Sequence, residues 1–283
     1  MSIKKVMVVG SGQMGAGIAQ VFAKAGMQVY LNDISEEIVS GNITKIEKQL
    51  ASQVKKERLT EDEKVVIMSR IQASTSYESA KEVDLVVEAA TERKDIKLSI
   101  FKQLDEVAAE HTILATNTSS LSITEIALAT KRPDKVIGMH FFNPAPVMKL
   151  VEIISGLTTS VETKTAIQEV TKEIGKTGVE VKDSYGFVVN RILIPMINEA
   201  SFVLAENVAT AEEIDQAMKL GANHPLGPLA LGDLIGLDVV LAIMNVLYDG
   251  FKDTKYRVSP IIQKYVEAGW LGRKTGKGFF DYN

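Results

Sequence analysis

The length and composition of the chain set the first limits on what it can be. Its 283 residues suffice for two domains of ordinary size, and hydrophobic residues at 46% can build a substantial core. A net charge of −4 argues against a general nucleic-acid or anionic-membrane binder, and the absence of cysteine excludes disulfides, cysteine metal sites and thiol nucleophiles. We expect no metal site, and since no apolar run could span a bilayer or resembles a leader, we expect a cytoplasmic protein.

The stretch from Lys4 to Asp33 follows the order of a dinucleotide-binding unit. It begins with an apolar run, followed by a G-x-G-x-x-G motif at 10–15 and a helical stretch. A second apolar run comes next, and the stretch ends at Asp33. The glycines permit a tight turn, a close approach of the backbone to a pyrophosphate, and close packing of helix on sheet. Asp33 would bind the adenosine ribose and repel a 2′-phosphate, which favours NAD over NADP. The predicted contacts in the turn are Gly10, Ser11, Gly12, Gln13, Met14 and Gly15.

Residues 35–70 interrupt the alternation of strand and helix. Apolar residues recur every three or four positions in the first half, and Thr60 with Glu63 forms a capping box that starts a second helix. The pattern predicts a helical hairpin inserted into the nucleotide domain. A set of cations lies on its first helix or just after it, namely Lys45, Lys48, Lys55, Lys56 and Arg58. They fit either a solvated face or a site for a phosphate-rich ligand.

The rest of the chain divides into an α/β part and a helical part. Strand and helix patterns alternate as far as residue 181, and polar residues follow the predicted strands where ligands gather in parallel sheets. We therefore predict an α/β Rossmann-type domain over 1–185 and an all-α domain over 186–283. Wide apolar faces on the later helices predict a homodimer through that second domain. The polar residues at the strand ends are Asp33, Glu92, Asn117, Ser119 and His140.

His140 is the strongest catalytic candidate among the three histidines. It follows an apolar strand beside the predicted dinucleotide site, whereas His111 and His224 have the surroundings of surface or structural residues. Glu152 lies within an apolar run, where an unpaired carboxylate would be costly to bury, so we expect it to pair with His140. A neutral imidazole beside NAD can take the proton of an alcohol as its carbon loses hydride, with Ser119 and Asn190 at the same oxygen.

Several motifs together closely resemble the L-3-hydroxyacyl-CoA dehydrogenase family, over the full length of the chain. They are the glycine motif at 10–15, Val-Glu-Ala at 87–89, Asn-Thr-Ser-Ser-Leu at 117–121, His-Phe-Phe-Asn-Pro at 140–144 with Met-Lys-Leu-Val-Glu at 148–152, Gly-Phe-Val-Val-Asn-Arg at 186–191, and Gly-Lys-Gly-Phe at 276–279. The nearest subgroup is the short bacterial 3-hydroxybutyryl-CoA dehydrogenases of butyrate or butanol fermentation. The resemblance implies reversible NAD(H)-dependent interconversion of (S)-3-hydroxybutyryl-CoA and acetoacetyl-CoA.

The resemblance also implies roles for individual residues. His140 would be the base, Glu152 its partner, and Ser119 and Asn190 would lie at the substrate. Lys56 would meet the phosphates of CoA; the similar roles of Lys48, Lys55 and Arg58 rest on charge instead. The implied NAD contacts outside the glycine turn are Asp33, Glu92, Lys97, Asn117, Ser119, Asn143 and Lys274.

Two alternatives remain open on the sequence. A β-hydroxyacid dehydrogenase acting on a small free acid also pairs a Rossmann domain with helices, but such enzymes typically use a catalytic lysine. A crystallin-like protein would keep NAD binding without turnover, against which the intact set of Ser119, His140, Glu152 and Asn190 argues.

Overall fold

The structure, a computed structural model, describes residues 2–282 and divides into two compact units between Asp183 and Ser184. The strands of the first unit are β1 (Lys5–Val9), β2 (Gln28–Asn32), β3 (Ile71–Ser74), β4 (Leu85–Glu88), β5 (Ile113–Thr116), β6 (Val136–Phe141), β7 (Leu150–Ser155) and β8 (Thr177–Lys182). Its helices are α1 (Gln13–Lys24), α2 (Glu36–Lys55), α3 (Glu61–Ser69), α4 (Lys94–Val107), α5 (Ile123–Ala127) and α6 (Val161–Glu173).

These strands form one eight-stranded sheet in the order β3-β2-β1-β4-β5-β6-β7-β8. The first six strands are parallel and have the order of the dinucleotide-binding fold, so the predicted Rossmann class is confirmed. All four residues from Val6 to Val9 are at most 3% exposed. Both faces of the central strand are therefore covered, as expected for a parallel sheet with helices on either side.

The pairing of β6 with β7 is antiparallel, which differs from the open parallel sheet expected from the sequence. The two strands are separated only by residues 142–149, and this segment contains no helix. A parallel pair needs a crossover of a dozen or more residues, so this short connection brings the chain back in the opposite direction. β8 then pairs parallel with β7 after the longer crossover through α6.

The predicted hairpin at 35–70 is present as α2 and α3. Thr60 and Glu63 form the reciprocal capping box, with the Thr60 N–H donating to the Glu63 carboxylate at 2.8 Å and the Glu63 N–H donating to the Thr60 hydroxyl at 3.2 Å. The short strand β3 that follows was not predicted. It lies at the sheet edge and only Ile71 is buried, so it lacks the apolar run by which the other strands are recognised.

The second unit is helical throughout its described part, apart from short turns and isolated bridges. Its helices are α7 (Val189–Ala205), α8 (Ala211–Gly221), α9 (Pro228–Ile235), α10 (Leu237–Phe251) and α11 (Pro260–Glu267). Proline and glycine at 225–228 favour a loop by their local preferences, but Pro228 is the first residue of α9, a position where the missing N–H of proline costs nothing. In residues 2–282 no single helix could cross a membrane by length and composition; only α9 and α10 taken together could, and they are bent by 98°.

Two glycines of the turn after β1 differ in the space around them. A Cβ on Gly15 would lie 1.7 Å from the carbonyl oxygen of Gly10, whereas a Cβ on Gly12 would have no heavy atom within 4 Å. Gly15 is thus required by the close packing of α1 on the turn. Gly12 leaves open space beside the backbone.

We predict that Gly15→Ala lowers the free energy of unfolding by about 2 kcal/mol, because the new methyl group collides with backbone that cannot move aside. The intrinsic preference of alanine for helix, worth about 1 kcal/mol, is too small to compensate. Gly12→Ala is the matched control and should lower the free energy of unfolding by less than about 1 kcal/mol, because it meets no neighbouring atom and loses only the preference of an N-cap for glycine. Urea denaturation of both variants measures the difference, and equal stability of the two would contradict the packing argument.

Candidate active site

The turn between β1 and α1 has the features of a pyrophosphate cradle. Gly10 adopts φ +92°, a left-handed conformation that suits glycine, and it reverses the chain directly after the strand. Gly12 is the N-cap of α1 and supplies no side-chain hydrogen bond. The first N–H groups of α1 are therefore not capped by a side chain, and the helix dipole favours an anion at this end. The residues present fit the pyrophosphate of a dinucleotide.

Asp33 lies immediately after β2 and is held by the glycine turn. Its Oδ2 accepts hydrogen bonds from the Ser11 N–H at 2.7 Å and the Ser11 hydroxyl at 2.6 Å, while Oδ1 accepts from the Ile34 N–H at 2.8 Å. Partial burial raises the pKa of Asp33, but these hydrogen bonds outweigh it and hold the pKa below its ordinary value. The side chain is therefore an oriented carboxylate at neutral pH.

A buried ion pair lies at the carboxyl end of β4. Both oxygens of Glu88 bind the Lys97 Nζ, at 2.9 and 2.7 Å, and the two side chains are 0% and 2% exposed. Glu88 also accepts from the Thr116 hydroxyl at 2.8 Å and from the Ala90 N–H at 2.8 Å. The carboxylate thus joins the ends of β4 and β5 to the first turns of α4.

Glu92 organises the loop after β5. Its Oε1 accepts from the Thr118 hydroxyl at 2.7 Å, from the Ser119 N–H at 2.8 Å and hydroxyl at 3.1 Å, and from the Ser120 hydroxyl at 2.9 Å. Its Oε2 lies 3.7 Å from the Lys97 Nζ. Removal from solvent raises the pKa of Glu92, but Lys97 and these donors outweigh it and leave the pKa lowered. Ser119 and Glu92, both predicted site residues, are therefore in direct contact.

Two asparagines link further loops at the same edge of the sheet. The Asn117 Oδ1 accepts from the backbone N–H of Phe141 at 2.8 Å, which joins the end of β5 to the end of β6. The Asn143 Oδ1 accepts from the Gln13 Nε2 at 3.1 Å, which joins the loop after β6 to the glycine turn. Predicted cofactor residues from five separate loops thus belong to hydrogen-bond networks at this edge.

His140 and Glu152 form a buried pair whose position follows from the strand register. They are direct partners across the antiparallel β6–β7 ladder, and such partners project from the same face of a sheet. The His140 Nδ1 lies 2.8 Å from the Glu152 Oε2, and the side chains are 7% and 1% exposed. The ring also packs on Phe142, with 4.5 Å between centroids. The predicted contact between the two side chains is present, although His140 lies within β6 and not after its end.

The other histidines have the surroundings expected of surface residues. The His111 Nε2 lies 3.6 Å from the Asp84 Oδ1, and the His111 side chain is half exposed. His224 is partly exposed between α8 and α9.

The remaining predicted residues lie in the hairpin and in the second unit. Asn190 is the second residue of α7 and is partly buried. Lys274 binds both oxygens of Asp238, at 2.6 and 2.7 Å, and is 45% exposed. The hairpin cations Lys48, Lys55, Lys56 and Arg58 are all exposed.

A cavity of about 510 Å³ opens between the glycine turn, the inner face of α2 and the loop after β6. Polar side chains from the three segments line it, and they include Gln13, Asn42, Lys45, Gln49 and Asn143. Its position next to Gly12 places a polar cleft beside the predicted pyrophosphate site.

Two residues that build this region were not predicted as site residues, Glu88 and Asn42. Glu88 ends an apolar strand, and a carboxylate in that position needs a buried partner. Asn42 lies on the apolar side of α2 and donates from Nδ2 to the Ser11 hydroxyl at 2.8 Å. In both cases a polar residue interrupts an apolar run or stripe, and this interruption was the signal in the sequence that could have identified it as a site residue.

Comparison with known proteins assigns both parts of the chain to the same family. Residues 5–184 match the model of the 3-hydroxyacyl-CoA dehydrogenase NAD-binding domain, and residues 186–282 match that of the C-terminal domain. The chain is 58% identical over 279 residues to a 3-hydroxybutyryl-CoA dehydrogenase of Clostridioides difficile, covering 99% of each sequence. It is 53% identical over 282 residues to a probable 3-hydroxybutyryl-CoA dehydrogenase of Bacillus subtilis, covering 100% of this chain and 98% of the relative.

A solved structure gives the same result for the fold. The crystal structure of (S)-3-hydroxybutyryl-CoA dehydrogenase from Ralstonia eutropha superposes with a TM-score of 0.97 at 53% identity, covering 100% of both chains. The chain therefore belongs to the 3-hydroxyacyl-CoA dehydrogenase family of NAD-dependent oxidoreductases.

Proposed function

We propose that the chain interconverts (S)-3-hydroxybutyryl-CoA and acetoacetyl-CoA reversibly, with His140 as the general base or acid. The observation that carries this proposal is the 2.8 Å contact between His140 and Glu152, fixed by strand register within the part of the chain that matches the family's NAD-binding domain. The four-carbon substrate is supported by the names of the relatives at 53–58% identity. The setting proposed for the reaction is the cytoplasm, in butyrate or butanol fermentation.

The proposed mechanism separates the movement of the proton from the movement of the hydride. His140 takes the proton of the substrate hydroxyl in oxidation and returns it to the developing alkoxide in reduction. Glu152 holds the ring through Nδ1 and offsets its positive charge when protonated, which assigns proton transfer to Nε2. NAD, when bound, supplies the acceptor for the hydride that leaves the alcohol carbon.

Ser119 and Asn190 are proposed to hydrogen-bond the reacting oxygen of the substrate. The Ser119 hydroxyl donates its one proton to Glu92, so towards an alcohol it is set to accept. To donate to a ketone oxygen it must turn away from Glu92. We therefore propose that Glu92 makes Ser119 a better partner for the hydroxyl of the alcohol than for the carbonyl oxygen of the ketone.

NAD is proposed to lie on the turn at 10–15 and along the network beside it. Asp33 would bind the adenosine ribose; Glu92, Asn117, Ser119 and Asn143 would line the path towards the nicotinamide. Lys97 is 2% exposed and held by Glu88, so its proposed part is to orient Glu92. Lys274 would exchange part of its contact with Asp238 for the cofactor.

The phosphates of CoA are proposed to bind the hairpin cations, with Lys56 first and Lys48, Lys55 and Arg58 around it. All four are exposed on or just after α2, and the 510 Å³ cavity on the inner face of the same helix offers a polar path away from them. This assignment gives the inserted hairpin a task that a minimal dinucleotide domain does not need.

The domain and oligomer assignments are also proposed. Residues 1–185 would form the NAD-binding domain, and residues 186–283 the domain for substrate and for dimerisation. Large apolar side chains stay exposed in the second unit, among them Ile192 at 67%, Leu234 at 52% and Val239 at 40%. Light scattering at micromolar concentration should give twice the mass of one chain; the mass of a single chain would remove the dimer.

We predict that His140→Gln lowers kcat for reduction of acetoacetyl-CoA by about 10²–10⁴-fold, because glutamine cannot transfer a proton. The measurement is NADH consumption at saturating concentrations between pH 5 and 8. The dissociation constant for NADH, followed by fluorescence, is the control and should change little. Persisting activity would show that His140 is not the base.

The same assay on the unmodified protein separates the alternatives. Turnover of a small free hydroxyacid without turnover of the CoA ester would favour a β-hydroxyacid dehydrogenase. NADH binding with no consumption of acetoacetyl-CoA at any of these pH values would favour the crystallin-like protein.

We predict that Lys56→Ala raises KM for acetoacetyl-CoA by roughly 2- to 5-fold and makes KM less sensitive to salt, since an exposed charge pair is weak and screened. Lys102→Ala removes the same charge from the exposed face of α4 and serves as the control, with KM unchanged. If Lys56→Ala has the KM and salt dependence of the control, CoA binds elsewhere.

A further inference from the structure

We propose that Asn42 is a positioning residue for Asp33 and thereby contributes to the selection of NAD over NADP. It acts through the Ser11 hydroxyl and does not itself need to contact the cofactor. The inference rests on the part of the proposed function that places Asp33 at the adenosine ribose, and it is independent of the acyl substrate.

The position of Asn42 in α2 first marks it as unusual. It comes three residues after Val39 and four before Ile46, both buried, so it belongs to the apolar stripe by which α2 packs on the domain. A half-buried amide in such a stripe is unfavourable unless its polar atoms find partners. Asn42 finds a partner at each end of its side chain.

The hydrogen bonds of Asn42 form a chain with one possible direction. The Lys45 Nζ, which can only donate, donates to the Asn42 Oδ1 at 2.9 Å. The Asn42 Nδ2, also a donor only, donates to the Ser11 Oγ at 2.8 Å. Ser11 must then direct its own proton elsewhere, and it donates to the Asp33 Oδ2 at 2.6 Å.

The direction of this hydrogen-bond chain determines how the carboxylate of Asp33 is oriented. With the Ser11 proton committed, the Asp33 Oδ2 receives two hydrogen bonds from Ser11 and Oδ1 receives one from Ile34. The carboxylate is held in a single orientation, and Oδ1 keeps a lone pair for a ribose hydroxyl. The same orientation keeps its charge where a 2′-phosphate would lie, and like charges in that position repel.

Loss of Asn42 would release this arrangement in a specific way. The Ser11 hydroxyl would be able to turn, and only the backbone donors to Asp33 would stay fixed. The carboxylate could then rotate away from the ribose, which weakens NADH binding and relieves the repulsion of NADPH. A general loosening of α2 would instead weaken the binding of NADH and NADPH to the same extent.

The test is the ratio of the dissociation constants for NADPH and NADH, measured by fluorescence titration without acyl substrate. Asn42→Leu keeps the size of the side chain and removes both hydrogen bonds. We expect its Kd for NADH to rise by about 3- to 10-fold, the effect of one hydrogen bond, with no comparable rise for NADPH. Asn42→Ala also removes both hydrogen bonds and adds no charge near the ribose, so it should lower the selectivity in the same direction.

A double-mutant cycle identifies Ser11 as the intermediary. In a Ser11→Ala background, Asn42→Leu should change the Kd for NADH less than twofold, because the group through which it acts is gone. Ser40→Ala, which removes an exposed hydroxyl bonded to Glu36 on the same helix, is the control and should keep the selectivity of the unmodified protein. Equal weakening of NADH and NADPH in both Asn42 variants, no change in either cofactor, or full additivity with Ser11→Ala would each overturn the proposal.

These outcomes are distinguishable from failure of the proposed reaction. If the protein binds NADH but does not reduce acetoacetyl-CoA, the cofactor titrations still decide the role of Asn42. If it reduces acetoacetyl-CoA and Asn42→Leu keeps its full preference for NADH, the reaction stands and the positioning role falls.

Discussion

The antiparallel register of β6 and β7 is the constraint on which the candidate site depends. A carboxylate at 1% exposure is costly to bury unless it is paired, and the ladder puts Glu152 directly opposite His140. The pair is therefore part of the sheet itself and does not rely on a mobile loop for its geometry. The short connection at 142–149 forces the reversal of direction, and it also carries Asn143 to the glycine turn.

Three other acidic side chains at this edge also fix the geometry of the site, but they do so by accepting hydrogen bonds and not through strand register. Asp33, Glu88 and Glu92 each accept several hydrogen bonds, and each ties a loop to a neighbouring strand end or helix. A carboxylate with several donors is strongly oriented because moving it would leave those donors unpaired. The protein's own hydrogen bonds thus fix the geometry of this edge, which is the condition for holding a cofactor and a proton-transfer group in a fixed relation.

Membership of the dehydrogenase family and the geometry of the site support one another. Family models cover both units, and close relatives match over nearly the whole chain. The first unit contains both the glycine turn and the buried pair of His140 with Glu152. The inserted hairpin adds exposed cations outside and a polar cavity inside, and through Asn42 it also reaches the carboxylate beside the turn.

Local patterns predicted most of the first unit, and their failures have identifiable causes. The glycine turn, the hairpin and its capping box depend on neighbouring residues, so the sequence contains the signal directly. β3 was missed because a short edge strand buries one side chain and leaves no apolar run. The start of α9 at Pro228 has no clear local signal, because proline and glycine indicate a loop even where proline starts a helix.

The sequence by itself determined the fold class, the cofactor motif and the identity of the chemical groups, including the expectation that Glu152 needs a partner. Only the tertiary structure decided how the groups meet: the antiparallel register that produces the expected contact of His140 with Glu152, the burial of Lys97 between Glu88 and Glu92, and the hydrogen-bond chain from Lys45 to Asp33. Periodicity reports which side of an element is buried. Contacts between residues distant in the chain depend on strand direction, register and helix placement, which are set by packing of the whole unit.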